Sequence, residues 1–157
     1  MNRRDQKTTR TTAAYWIAVA ALLAAGVSWS DARGGAPSPA TVTFPNGVVY
    51  AVEVPQTPEA QRRGLMFRAR LAPRSGMLFV FPETALHAIW MKNCLIALDL
   101  VWLDETRRVV AIQPEAPPCP GDPCQIYRPS IPSRYVLEIA GGAAAREQLT
   151  VGSAVRF

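Results

Sequence analysis

Six residues, Leu98-Asp-Leu-Val-Trp-Leu103, constrain the fold more than any other stretch, because they set one carboxylate inside an otherwise unbroken apolar run. Read as a strand, the run puts Leu98, Leu100 and Trp102 on one face and Asp99, Val101 and Leu103 on the other, so Asp99 falls among apolar neighbours. An isolated buried charge is strongly unfavourable, and Asp99 therefore needs a partner. The nearest candidate in sequence is Lys92, with Asn93 beside it as turn-former and hydrogen-bond donor. The whole of Trp90 to Asp104 is accordingly expected to form a buried hairpin with a polar tip, organised by a Lys92–Asp99 ion pair.

A chain of 157 residues allows one domain of ordinary size. Its formal charge of +5 overstates the basicity of the folded part, because four basic residues precede the first apolar run; from Arg33 onward 13 basic residues face 10 acidic ones. These are mostly single arginines, with the pairs Arg62-Arg63 and Arg107-Arg108, and no stripe of the kind that tracks nucleic acid. No nucleic-acid partner is expected.

The first 32 residues read as a secretory signal: a basic start, a 15-residue apolar run from Ala13 to Val27, and small residues leading to Ala32, after which cleavage is expected. The run is shorter than the ~20 residues of a membrane span, and no cysteine follows it to be lipidated. The expected location is periplasmic or secreted, with membrane contact only through the signal before cleavage. Arg3-Arg4 lacks the apolar followers of a twin-arginine signal, which favours the general secretory route.

Export gives the cysteines an oxidising environment. Cys119-Pro-Gly-Asp-Pro-Cys124 can bend so that its two sulfurs meet, and a disulfide is expected there, stabilising by ~2 kcal/mol through a short closed loop. Cys94 is then left free as a small buried hydrophobe.

Arg33 to Ala40 reads as a disordered leader. Asn46-Gly47 between the β-branched runs Thr41–Phe44 and Val48–Val54 signals an opening hairpin. Thr57-Pro58-Glu59 supplies an N-cap, a proline at the first helical position and an acidic first turn, so a short helix should run from Pro58 to Arg63 and stop at Gly64. Strands are expected over Gly76–Phe81, Leu86–Met91, Val109–Gln113, Tyr135–Ile139 and Leu149–Phe157, with a Pro-rich loop over Pro114–Pro132 and a short helix within Ala140–Gln148. About eight short strands and one or two short helices make a mainly β domain over 41–157, a compact sandwich or barrel.

The motifs Arg63-Gly-Leu-Met-Phe-Arg68, Gly76-Met-Leu-Phe-Val-Phe81, Trp90-Met-Lys-Asn93, Leu98-Asp-Leu-Val101 with Asp104, Cys119 and Cys124, and Tyr135 to Ala140 follow one another as in the exported family known as domain of unknown function 192, which the chain resembles over nearly its whole mature length. Cys94 and Ala97 stand where that family's pattern has Thr and Pro. The resemblance implies a single jelly-roll-like β domain and no established activity.

Three kinds of chemistry are conceivable. Cys94 or a serine with His87 and an aspartate would make a hydrolase acting on envelope material, but no nucleophile elbow is present. Met66, Met77, Met91, His87 and Cys94 could suit Cu(I), though methionines more often fill β-cores. Arg68, Trp90, Lys92, Asn93 and Asp99 together offer an aromatic face, a cation and hydrogen-bonding groups, the set used for a small anion or glycan. The same residues can equally be structural, with Lys92–Asp99 as a register-fixing ion pair and Trp90 as core; among functional readings the last, a non-catalytic binding module working as a monomer without cofactor or metal, is the favoured expectation. A deep pocket holding His87 or Cys94 beside a carboxylate would mark an enzyme, and a shallow groove with Trp90 exposed a binding module.

Overall fold

The computed structural model describes residues 38–157. The expected signal segment and the first residues of the leader lie outside them. Strands β1 (Ser38–Thr43) and β2 (Val49–Val54) pair as the expected antiparallel hairpin. Its tip is closed by the Phe44 N–H donating to the Val48 carbonyl and by Asn46 Oδ1 accepting from the Val48 N–H, with Gly47 at φ 82. Ser38-Pro39-Ala40, expected within the leader, belong to β1, and Ala40 packs on the core.

Helix α1 (Pro58–Arg63) has the bounds expected, because its signals are local. Thr57 Oγ1 accepts from the Ala60 N–H, Pro58 opens the helix, and Gly64 ends it at φ 48. It is the crossover that lets β3 (Ser75–Ala85) return parallel to β2. The strand continues past Pro82, where its register with the next strand becomes irregular.

Six strands form one mixed sheet in the order β1-β2-β3-β8-β5-β6, where β5 is Leu98–Leu103, β6 Val109–Ala116 and β8 Ser133–Ala140. A second, two-stranded sheet pairs β4 (Ile89–Trp90) with β7 (Ile126–Tyr127). The domain is therefore mainly β and compact, but its main sheet is open and does not close into a barrel. Residues Leu149–Phe157, expected as a closing strand, make only isolated bridges, Thr43 to Arg156 and Arg108 to Ala154. Helix α2 (Ala143–Arg146) is a single turn after β8.

Every residue of β5 is buried, and its alternation divides the interior in two. Val101 and Leu103 join Val42, Phe44, Tyr50, Leu137 and Ile139 in a cluster closed by α2 and the C-terminal segment. Leu98, Leu100 and Trp102 join Met77, Phe79 and Val136 in a second cluster, closed by Leu65, Ile89, Met91, Cys94 and Tyr127. Each such fully buried side chain contributes roughly 1.5 to 3 kcal/mol.

Two expectations are corrected here. Trp90–Asp104 is not a hairpin, since β4 and β5 lie in different sheets. Nor do Lys92 and Asp99 form the expected pair. Asp99, with no exposed surface, accepts three backbone N–H groups: Glu115 at 2.7 Å and Gly142 at 3.0 Å on one oxygen, Ala144 at 2.7 Å on the other. The carboxylate is thus satisfied by β6 and the start of α2, where helix polarity also favours a negative charge. Lys92 pairs instead with Asp122 at 2.6 Å, on the surface.

The two interactions should respond very differently to mutation. Asp99→Asn keeps the oxygen that serves Glu115 and Gly142 but turns an NH₂ toward the Ala144 N–H, and should lose about 2 kcal/mol in urea denaturation. Lys92→Met should lose less than about 1 kcal/mol. A double mutant is expected to show additive effects; strong coupling would restore the direct pair.

Candidate functional site

A cavity of about 320 Å³ opens on the side of the sheet covered by the second cluster. Its walls come from three places. The end of α1 and the turn after it supply Arg62, Arg63, Leu65 and Met66; β3 supplies Phe79 and Phe81; and the segment through β4 supplies Ile89, Trp90, Lys92 and Cys94. At its floor lies Glu138 of β8.

The walls are stitched together by backbone bonds. The Phe67 N–H donates to the Asn93 carbonyl at 2.8 Å, and the Asn93 side chain donates to Met66 Sδ at 3.8 Å. Asn93 itself is in the left-handed region at φ 57, a conformation that asparagine tolerates. On the other side, the Asn93 N–H donates to the Cys119 carbonyl and the Cys119 N–H to the Cys94 carbonyl. Cys119 and Cys124 are disulfide-bonded, as expected, and Asp122 within that loop holds Lys92. The Lys92 ammonium also lies 5.3 Å from the centre of the Trp90 ring. The disulfide loop is therefore the brace of the cavity rim.

Glu138 was not singled out by the sequence, which places it on an alternating, half-buried strand. In the structure β8 lies between β3 and β5, with cover on both faces, and Glu138 faces the same side as Met77 and Leu100 opposite it. The residue is 6 % exposed, and its carboxyl has no hydrogen-bond partner among the described residues. Burial pushes its pKa up to about 8. Burial, and then the proximity of Glu138, pushes the Cys94 thiol up to about 11. At neutral pH the floor thus holds an uncharged acid beside an uncharged thiol.

The five residues expected to form a ligand site are divided. Trp90, 46 % exposed, and Lys92 line the cavity. Asn93 lines a shallow depression next to it, with Phe67 and Glu59. Arg68 is engaged by both carboxylate oxygens of Glu53, whose pKa its hydrogen bonds hold below the usual range. Asp99 lies on the opposite face of the sheet and belongs to the other core. The hydrolase set is not assembled: His87 stacks on Phe81 with ring centres 3.7 Å apart and bonds the Glu83 carbonyl. Met77 and Met91 are packed in the core, and among the described residues no group of three His, Cys, Asp or Glu side chains is placed to hold a metal.

Residues 41–157 match the family DUF192, described as "Uncharacterized ACR". Two solved structures are similar. A candidate transcription regulator from Sinorhizobium meliloti 1021 is 28% identical with a TM-score of 0.70, over 78% of this chain and 95% of that one. A protein of unknown function from Novosphingobium aromaticivorans DSM 12444 is 34% identical with a TM-score of 0.69, over 81% of this chain and 89% of that one. No curated protein matches.

The raised pKa of Glu138 has a measurable cost. Between the ordinary value of 4.5 and about 8, the folded chain keeps a proton that the unfolded chain has released, so stability falls as pH rises through this window and levels off above it. Glu138→Gln removes this contribution. In thermal unfolding at pH 5 the variant should match the parent, and by pH 9 it should be the more stable by a few kcal/mol. A variant less stable at pH 9 would mean that the carboxylate is satisfied in the fold.

Proposed function

Because the chain belongs to the DUF192 family, whose description assigns no activity, its function is read from its own cavity, and we propose that the domain is a non-catalytic module that binds a small ligand or envelope component there. One observation carries this reading: an apolar cavity has a half-exposed tryptophan and the cations Arg62, Arg63 and Lys92 around it. Aromatic and aliphatic walls with a few placed polar groups are the usual composition of a small-molecule site. Trp90 and Lys92 are the contact residues from the original set, with Asn93 holding the rim. The export expected from the N-terminal sequence would put such a module in the periplasm or outside the cell.

A hydrolase acting on envelope material finds less support. The cavity does hold Cys94 beside a carboxyl group, but a pKa near 11 is the reverse of what a nucleophilic cysteine needs. Among the described residues Glu138 is the one carboxyl in the lining, so they place no acid and base pair to flank a scissile bond. A copper site would need more than the sulfurs of Met66 and Cys94 that line the cavity.

A thermal-shift screen with small organic anions, glycans and Cu(I) tests the proposal. At least one class should raise the melting temperature of the parent by several degrees at high occupancy, and Trp90→Ala should abolish the shift. No shift with any class, or a shift untouched by both Trp90→Ala and Lys92→Met, would refute a binding function at this cavity.

A further inference from the structure

We propose that Glu138 is the ligand-recognition group of the cavity, donating a hydrogen bond to an acceptor oxygen of a small amphipathic organic acid whose anionic group lies at the Arg62–Arg63 mouth. This inference rests on the binding reading of the same cavity and names the class of ligand.

Asp99 and Glu138 are both buried carboxyl groups on neighbouring central strands, but they face opposite sides. Asp99 is given three backbone amides, and Glu138 is given none among the described residues. An unpartnered buried polar group is destabilising, and native folds rarely keep one without a use. Here the carboxyl opens onto the cavity, where a ligand would complete its hydrogen bonding.

Charge selects the ligand. The groups around Glu138 are Cys94 from the rim segment and, at the mouth, Arg62, Arg63 and Lys92. Its strand neighbours on β3 and β5, Met77 and Leu100, carry no charge. A cationic ligand would have to approach past three positive side chains, whereas an anion is drawn to them. The walls of Leu65, Phe79, Phe81 and Trp90 suit a single ring or short alkyl body between the two polar ends. Because burial keeps the acid protonated to about pH 8 with the thiol uncharged beside it, Glu138 can donate at neutral pH and loses that capacity in alkali.

The test uses two aromatic acids of nearly equal shape, 4-acetylbenzoate, which carries an acceptor carbonyl, and 4-isopropylbenzoate, which does not. Titration calorimetry on the whole protein at pH 6.5 should favour the acetyl compound by about fivefold to tenfold. That preference should fall to less than about twofold by pH 9. Glu138→Gln, which keeps a donor, should retain the preference with no pH dependence, and Glu138→Met should bind the two acids equally at both pH values. Equal binding of the two acids by the parent protein, or an unchanged preference in Glu138→Met, would overturn the role of Glu138 and leave the cavity as a binding site. Failure of the parent to bind either acid would overturn the ligand class, while the broader screen with Trp90→Ala separately decides whether the cavity binds anything.

Discussion

The fold depends on how one buried carboxylate is satisfied. Asp99 is fully buried on an interior strand of the sheet, and a charge there would be prohibitive without donors. The three amides that meet it come from β6 and from the turn into α2, with Gly142 at φ 77 presenting the helix start. One side chain therefore ties the outer strand, a central strand and the capping helix together, and it closes one of the two cores. Neighbouring contacts reinforce the closure: Tyr50 and Asn46 of the opening hairpin both donate to the Glu147 carboxylate just after α2. Burial alone would raise the Glu147 pKa, but these bonds and Arg146 hold it below the usual range.

With that face locked, the other can carry a cavity. Its floor strand is fixed by close backbone packing, since a side chain at Gly76 of β3 would place its Cβ 2.3 Å from the Glu138 carbonyl oxygen. Its rim is held by the disulfide loop through backbone bonds to Asn93 and Cys94. On the proposed binding function, a buried acid without a hydrogen-bond partner among the described residues exchanges stability for a polar group available to a ligand.

What could be read from the sequence was whatever local chemistry decides. Thr57, Pro58 and Gly64 mark both ends of α1 because caps act within a few residues. Asn46-Gly47 marks the first turn, and the division of β5 into two faces follows from its period of two. The disulfide was legible from a short, bendable spacing. Partners chosen across long sequence separations were not legible. Asp99 appeared to need Lys92 because side chains are what a sequence displays, yet its donors are main-chain amides up to 45 residues away. In the sequence Glu138 falls in an alternating strand that needs only one buried face; the sheet order, with β8 between β3 and β5, buries it. Its apolar neighbours Val136, Leu137 and Ile139 were the one available hint that the strand is central. The short β4 was overextended for the same reason, since its partner β7 lies inside the Pro-rich loop.

The cavity draws its character from an acid that stays uncharged at neutral pH, and that state can be observed directly. Carbon-13 NMR of the Glu138 side-chain carboxyl, followed from pH 4 to pH 10, should show a single titration with its midpoint near 8. A midpoint below 5 would mean that the group is an ordinary carboxylate, either wetted or paired, and would contradict the reading of the cavity floor as a hydrogen-bond donor.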